Sequence, residues 1–121
     1  MRPAQRDSGQ ATVELALALP LLMVFLLAGV QLVAVVRAQL AVDHAAREGA
    51  RAAAVSPAPA GAAAGAARAA VHLGDLRVGT SAGGGRVRVQ VRSTVHTDVP
   101  LVGVLIGDVT VVGSAVMAVE P

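Results

Sequence analysis

The sequence predicts an α+β protein: a long N-terminal helix with a transmembrane segment, followed by a short helix and a small two- or three-stranded antiparallel sheet. Three observations predict it. The chain carries no formal charge from Leu15 to Val36, a run of about 22 residues that spans a ~30 Å hydrocarbon layer at ~1.5 Å rise per residue. Strong helix formers continue from Arg37 to about Ala54. From Arg86 the apolar period changes to two, which is the repeat of a strand with one dry and one wet face.

These observations divide the 121 residues into four parts. Residues 1–9 form a short polar leader with Arg2, Pro3 and Arg6; residues 10–55 form the long helix, with its membrane segment at about 15–36. Residues 56–85 are a linker and an Ala-rich helix, and residues 86–121 are an antiparallel β region. The part beyond the long helix is marginal for a self-sufficient core. It also lacks large fillers, since Phe25 is the only aromatic residue and lies in the membrane segment.

Within the long helix, Glu14 is a lone carboxylate just inside the apolar run. A charge there needs a partner, or else the favourable field of a helix N-terminus. Pro20 removes one backbone hydrogen bond and predicts a kink or local unwinding. Gly29 beside Ala28 offers a close approach to another helix, and Gln31 is the one strongly polar side chain after Glu14 inside the run. Beyond the span, Asp43, Arg47 and Arg51 recur every four residues, with Glu48 beside them. That pattern reads equally as a solvated face with weak ion pairs or as an assembly surface. Gly49 is placed to admit a close neighbour.

Ser56-Pro57-Ala58-Pro59 stops the helix, because proline lacks an amide donor and restricts the residue before it. An Ala-rich helix over about 60–73 follows, then a short edge strand at 76–78 and a loop at Thr80–Gly85. Val87, Val89, Val91, Val95 and Val99 form the dry face of a long strand whose wet face carries Arg86, Arg88, Gln90 and Arg92. After an apolar connection from Pro100 to Asp108, a second strand at 109–119 places Val109, Val111, Ala115, Met117 and Val119 on its dry side.

The N-terminal residues also carry a family resemblance. Gly9-Gln10-Ala11-Thr12-Val13-Glu14-Leu15 resembles the class III signal of type IV pilin-like proteins, with a glycine at the cut and a glutamate as the fifth mature residue. Together with Ala45-Ala46-Arg47-Glu48-Gly49-Ala50-Arg51-Ala52-Ala53-Ala54 it resembles, more narrowly, the TadE-like family, pseudopilins or minor pilins of tight-adherence (Flp-type) pilus systems. The resemblance implies that a prepilin peptidase cuts between Gly9 and Gln10 and that Glu14 is the assembly glutamate. It implies a pilin-like long helix, a cytoplasmic leader and N-terminus, an extracytoplasmic C-terminal domain and a single pass through the cell membrane, and it leaves open whether the protein stays in the membrane or enters the pilus. The partners it implies are the membrane, the peptidase, the major pilin and the pilus assembly platform. Gln10 and Leu15 both stand where related pilins often carry Phe. Arg counts on the two sides of the span do not assign orientation by themselves.

No enzymatic function is expected. His44, His72 and His96 lack Cys or carboxylate at metal-ligand spacing, so no metal and no cofactor are expected. Gly83-Gly84-Gly85 lacks the Lys-Ser/Thr of a phosphate loop, and Ser114 lacks the second glycine of a nucleophile elbow. The basic balance of +2 comes from scattered Arg without aromatic stacking residues, so neither nucleic acid nor a small-molecule substrate is expected. Without cysteine there is no disulfide framework. The competing reading is an ordinary single-pass membrane-anchored binding protein in which the Gly9-to-Glu14 pattern is coincidental.

Overall fold

The computed structural model describes residues 3–120, with side chains described from Gly9 onward; Met1 and Arg2 of the leader, and Pro121, lie outside the described residues. Helix α1 runs from Pro3 to Ala54. It therefore begins inside the stretch read as a leader. Proline is well suited to the first helical turn, because its missing donor would be unpaired there anyway.

Helix α1 is continuous through Pro20. The expected local unwinding is absent, since the loss of one donor leaves the flanking turns intact to carry the helix. It ends at Ala54, just before the proline pair. Helix α2, Pro59–Ala70, starts on the second of those prolines, and the Ser56 hydroxyl accepts from the Ala58 amide at 3.1 Å to shape the turn. α2 ends a turn earlier than the Ala-rich composition suggests. Val71 is extended, and Val71 and Leu73 turn back to pack on the core.

The sheet has three antiparallel strands in the order β1-β2-β3: β1 Arg77–Gly83, β2 Arg86–Val95 and β3 Val109–Ala118. The first strand corrects the sequence reading, which placed only a short edge at 76–78 and a loop at 80–85. Thr80 to Gly83 instead pair with β2, Thr80 opposite Val89 and Gly83 opposite Arg86. The loop contracts to Gly84-Gly85, with φ of +60° and +73°. Such a two-residue turn needs positive φ at both positions and matches the twist of the strands it joins. Composition marked Gly-rich residues as irregular, whereas the partner strand's unpaired backbone groups recruit them into the ladder.

The core lies between the C-terminal half of α1 and one face of the sheet. Ala38, Val42, Ala45, Ala46, Ala50 and Ala53 form a buried stripe on α1 at helical spacing. Onto this stripe pack Ala63 and Ala67 of α2, Val87, Val89 and Val91 of β2, and Val111 of β3. Small side chains on both sides let the backbones approach closely. At Gly113 an added Cβ would lie 2.5 Å from the Val42 carbonyl, so β3 crosses α1 where only glycine fits. Gly49 plays the expected part on the helix side, facing the Ala63 carbonyl and Val89 at 3.1 Å. Predicted dry-face residues Val109, Ala115 and Met117 are half-buried, while Val119 lies past the end of β3 and is exposed.

The predicted connection from Pro100 to Asp108 contains a short helix, α3, Val102–Ile106. It sits at the foot of the domain, beside α1.

Candidate functional site

The part of α1 that projects from the domain defines the site. From Gly9 to Val30 no residue is buried, and the first buried side chain is Gln31, at 5% exposure. The projecting length is about 22 residues, or ~33 Å at 1.5 Å per residue, close to the ~30 Å of a bilayer's hydrocarbon. Leu15, Leu17, Leu19, Leu21, Leu22, Phe25 and Leu26 are all half or more exposed along it. A soluble core helix would be covered on at least one face, so this helix is left for lipid or for other helices. The expected span at 15–36 is shifted toward the N-terminus on its domain-facing side, because the domain reaches down α1 as far as Gln31.

The predicted site residues fall into two groups on this helix. Gly9 has open space around its Cα, with nothing within 4 Å of an added Cβ, and Gln10 is exposed. Both lie within helical turns of α1. Glu14 is exposed on the projecting segment, and no hydrogen bond or ion pair from any described residue reaches its carboxylate. Gly29 likewise faces open space.

The second group lies beside the domain. Asp43 is half-buried and accepts from Gln39 Nε2 at 3.2 Å, and the same nitrogen donates to the Val112 carbonyl of β3 at 2.8 Å. Asp43 is thereby drawn into the α1–β3 seam, and the ion pair with Arg47 that four-residue spacing permits is not made. Arg47 is exposed. Glu48 and Arg51 approach only to 4.0 Å, three residues apart, on an exposed face. Such a pair contributes at most a few tenths of a kcal/mol. Arg47, Glu48 and Arg51 thus stay together on the surface, and Asp43 leaves the set.

Three features of the domain's foot escape sequence reasoning. Gln31 Nε2 donates to Thr97 Oγ1 at 3.0 Å, and Thr97 Oγ1 in turn donates to the Gly107 carbonyl. Ser93, buried on β2, donates to the Gly74 carbonyl at 3.1 Å and pins the turn that precedes β1. His96 stands between two carboxylates, with Nε2 at 3.1 Å from Asp75 and Nδ1 at 3.3 Å from Asp108. Hydrogen bonds to Asp75 and then Asp108, with the charge of Asp108 behind them, raise the His96 pKa above 6.5. These three residues are 21 and 12 positions apart in pairs, a separation with no periodic signal.

The outer face of the sheet is basic. Arg86, Arg88 and Arg92 alternate along β2, and Arg77 of β1 stands directly opposite Arg92. Among the described residues none of the four makes an ion pair or a side-chain hydrogen bond.

The fold is α+β, and among the described residues it carries one apolar helix of spanning length, which fits a single-pass membrane anchor. Residues 9–51 match the family described as TadE-like protein, which bears out the resemblance carried by Gly9–Leu15 and Ala45–Ala54, the last three residues of the second motif lying beyond the match. The match begins at Gly9 and ends within the last turn of α1, and so leaves out α2 and the sheet. No curated protein and no solved structure matches the chain.

Proposed function

We propose that this protein is a TadE-like minor pilin, a pseudopilin that takes part in assembling a tight-adherence pilus and in adhesion. One observation carries the reading: a family match that begins at Gly9 covers a helix whose N-terminal ~33 Å is bare of its own domain. In this reading a prepilin peptidase cuts between Gly9 and Gln10 on the cytoplasmic side. The mature helix crosses the cell membrane and the sheet stands outside it. Glu14, whose carboxylate has no partner among the described residues, pairs with the new amine of Gln10 or of a neighbouring subunit, a contact that low dielectric strengthens. Arg47, Glu48 and Arg51 then face the major pilin or the assembly platform, and the protein resides in the membrane or enters the fibre. The role is structural, with no reaction assigned to it. The sheet sets this chain apart from a major pilin, which in such systems is little more than leader and helix.

The test is the mature N-terminus after co-expression with a cognate prepilin peptidase. Terminal sequencing should return Gln10 for the wild type, and Gly9→Leu should stay unprocessed because the enzyme must reach the backbone at the break. A chain that still begins at Met1, beside a control substrate cut by the same peptidase, would return the protein to the class of ordinary single-pass anchored binding proteins.

A further inference from the structure

The foot of the domain presents an apolar tip. Between Val99 and Gly107 the chain carries no charge, and α3 buries only Val102. Leu101, Val104, Leu105 and Ile106 are exposed at 61%, 90%, 78% and 55%. Four large aliphatic side chains on six consecutive residues are an unusual cost on a water-facing loop, where polar turn formers are the rule.

The position of the tip is fixed relative to the helix. Thr97 and Gly107, which flank α3, are tied through the Thr97 hydroxyl to Gln31 of α1. Gln31 lies inside the uncharged run, about 9 Å along the helix axis before Arg37 at ~1.5 Å per residue. The tip therefore hangs beside α1 at the depth where the bare, bilayer-length segment begins. α3 itself lies against α1.

Its backbone suits such a place. The Val102 amide donates to the Pro100 carbonyl at 2.8 Å, Gly103 to Val99 at 2.9 Å and Gly107 to Gly103 at 3.1 Å, so these donors are satisfied inside the loop. Internal satisfaction is what a segment leaving water requires. Leu101 is held at φ +68° and ψ −45° in a γ-turn closed by the first of these bonds. That conformation is rare and strained for a residue with a side chain, yet the position carries an exposed leucine rather than glycine or asparagine. α3 is also seated tightly, since an added Cβ at Gly103 would lie 2.5 Å from the Thr97 carbonyl.

We propose that the Leu101–Ile106 tip is a second membrane contact: it inserts its aliphatic side chains into the boundary between headgroups and hydrocarbon of the bilayer that α1 crosses. The protein is then held at two points, which fixes the rotation and tilt of the sheet above the surface. The flanking charges on this connection, Asp98 and Asp108, are acidic. The contact is thus hydrophobic rather than an attraction to anionic headgroups, and it forms on neutral lipid. The inference rests on the reading of α1 as a membrane anchor.

The absence of cysteine makes the test clean, because one introduced thiol is the only one. The full chain is reconstituted into phosphatidylcholine vesicles as three variants, Leu22→Cys in the span, Val104→Cys on the tip and Ser81→Cys on the outer face of β1, each carrying an environment-sensitive fluorophore. Spin-labelled lipid should quench the probe at Leu22 and at Val104 to less than half its intensity and leave Ser81 unchanged. At Val104, quenchers near the headgroup should act more strongly than quenchers deep in the acyl chain. Leu105→Asp should restore the Val104 signal. Quenching at Leu22 without quenching at Val104 overturns the proposal and leaves the anchor standing. A Val104 probe shielded from aqueous iodide but untouched by lipid quenchers overturns it in favour of a second copy of the chain. Absence of quenching at Leu22 removes the anchor and the proposal together.

Discussion

Gln31 and Thr97, 66 positions apart, meet through a 3.0 Å hydrogen bond at the only place where the connection between β2 and β3 is tied by a side chain to α1 among the described residues. The bond satisfies a Gln amide at 5% exposure inside an otherwise apolar run. It also fixes how far down the helix the domain sits. Thr97→Val leaves that amide unpartnered and should destabilise the domain by about 1–3 kcal/mol. Gln31→Leu together with Thr97→Val removes the buried amide with its acceptor and should recover that part of the loss, while the Gly107 carbonyl stays without its Thr97 donor. A chemical-denaturation cycle on the four proteins checks this, and purely additive losses would show that the bond does not couple the two elements.

The crossing of β3 over α1 depends on Gly113. A methyl there meets the Val42 carbonyl carbon and oxygen at 2.5 Å, and both are backbone atoms that cannot swing aside. Gly113→Ala should therefore cost about 1–3 kcal/mol through a forced separation of β3 from the helix. Gly79→Ala on β1 meets only the Gln90 carbonyl, at 3.9 Å, and should be neutral or slightly stabilising. Thermal unfolding of the two variants separates a packing constraint from a general intolerance of alanine in the sheet.

Arg77 and Arg92 stand directly opposite each other on the wet face. Like charges at that spacing repel, and opposite charges attract by about 0.2–1 kcal/mol. Arg77→Glu should raise the melting temperature, and so should Arg92→Glu, whereas the double variant should lose the gain. Added salt should shrink these differences. If both single variants melt below wild type at low salt, the bare basic face is being held by something other than the chain's own electrostatics.

Much of the architecture was legible in the sequence because it is written in periodicity. The bare helix, its end before Ser56-Pro57, the alternation on β2 and the dry side of β3 all follow from local repeats of apolar residues. What escaped reading depends on pairing across distance. Thr80 to Gly83 have the composition of a loop and become strand only because β2 offers them an edge. Asp43 has the spacing of an ion pair with Arg47, but a glutamine one turn earlier and a β3 carbonyl claim its environment. The His96 carboxylate cluster and the Gln31–Thr97 bond join residues whose separations carry no signal. The N-terminal site residues lie at the other extreme. Gly9, Gln10 and Glu14 are legible as a motif, yet they lie on the bare segment, where the described residues of the domain do not cover them.

His96 makes the junction of β1, β2 and β3 sensitive to pH. A neutral imidazole can donate to only one of its two carboxylate neighbours, whereas the imidazolium donates to both. The folded pKa is accordingly raised above 6.5. The sign follows from linkage: a raised folded pKa gives stability that is fully present below the unfolded value of about 6.5 and is lost as pH rises through the folded pKa. Proton NMR of the His96 ring should show a midpoint above 6.5, and Asp75→Asn and Asp108→Asn should each lower it. Hydrogen exchange at the start of β3 should quicken as pH rises through that midpoint, after correction for the intrinsic rate. A midpoint at or below 6.5 would mean that the two carboxylates do not hold the ring in solution.

Glu14 is the residue whose role the fold leaves most open to experiment. It is exposed on the bare segment, and its carboxylate has no hydrogen bond or ion pair among the described residues. Glu14→Gln preserves shape and hydrogen-bonding capacity while removing the charge, which lowers the cost of immersion in lipid. The variant should therefore insert at least as well as wild type, and processing at Gly9–Gln10 should be unchanged. On the proposed reading it loses a counter-charge for the Gln10 amine that cleavage would create, within one subunit or between neighbours, in a medium where that attraction is strong. Cells carrying the variant should contain normal amounts of processed protein while pilus formation, or co-purification with the major pilin, falls. A fall in processing would instead make Glu14 part of the peptidase signal. Normal piliation by fully processed Glu14→Gln protein would reduce the carboxylate to an anion tolerated near the start of the helix, stabilised by the helix dipole and by nothing else.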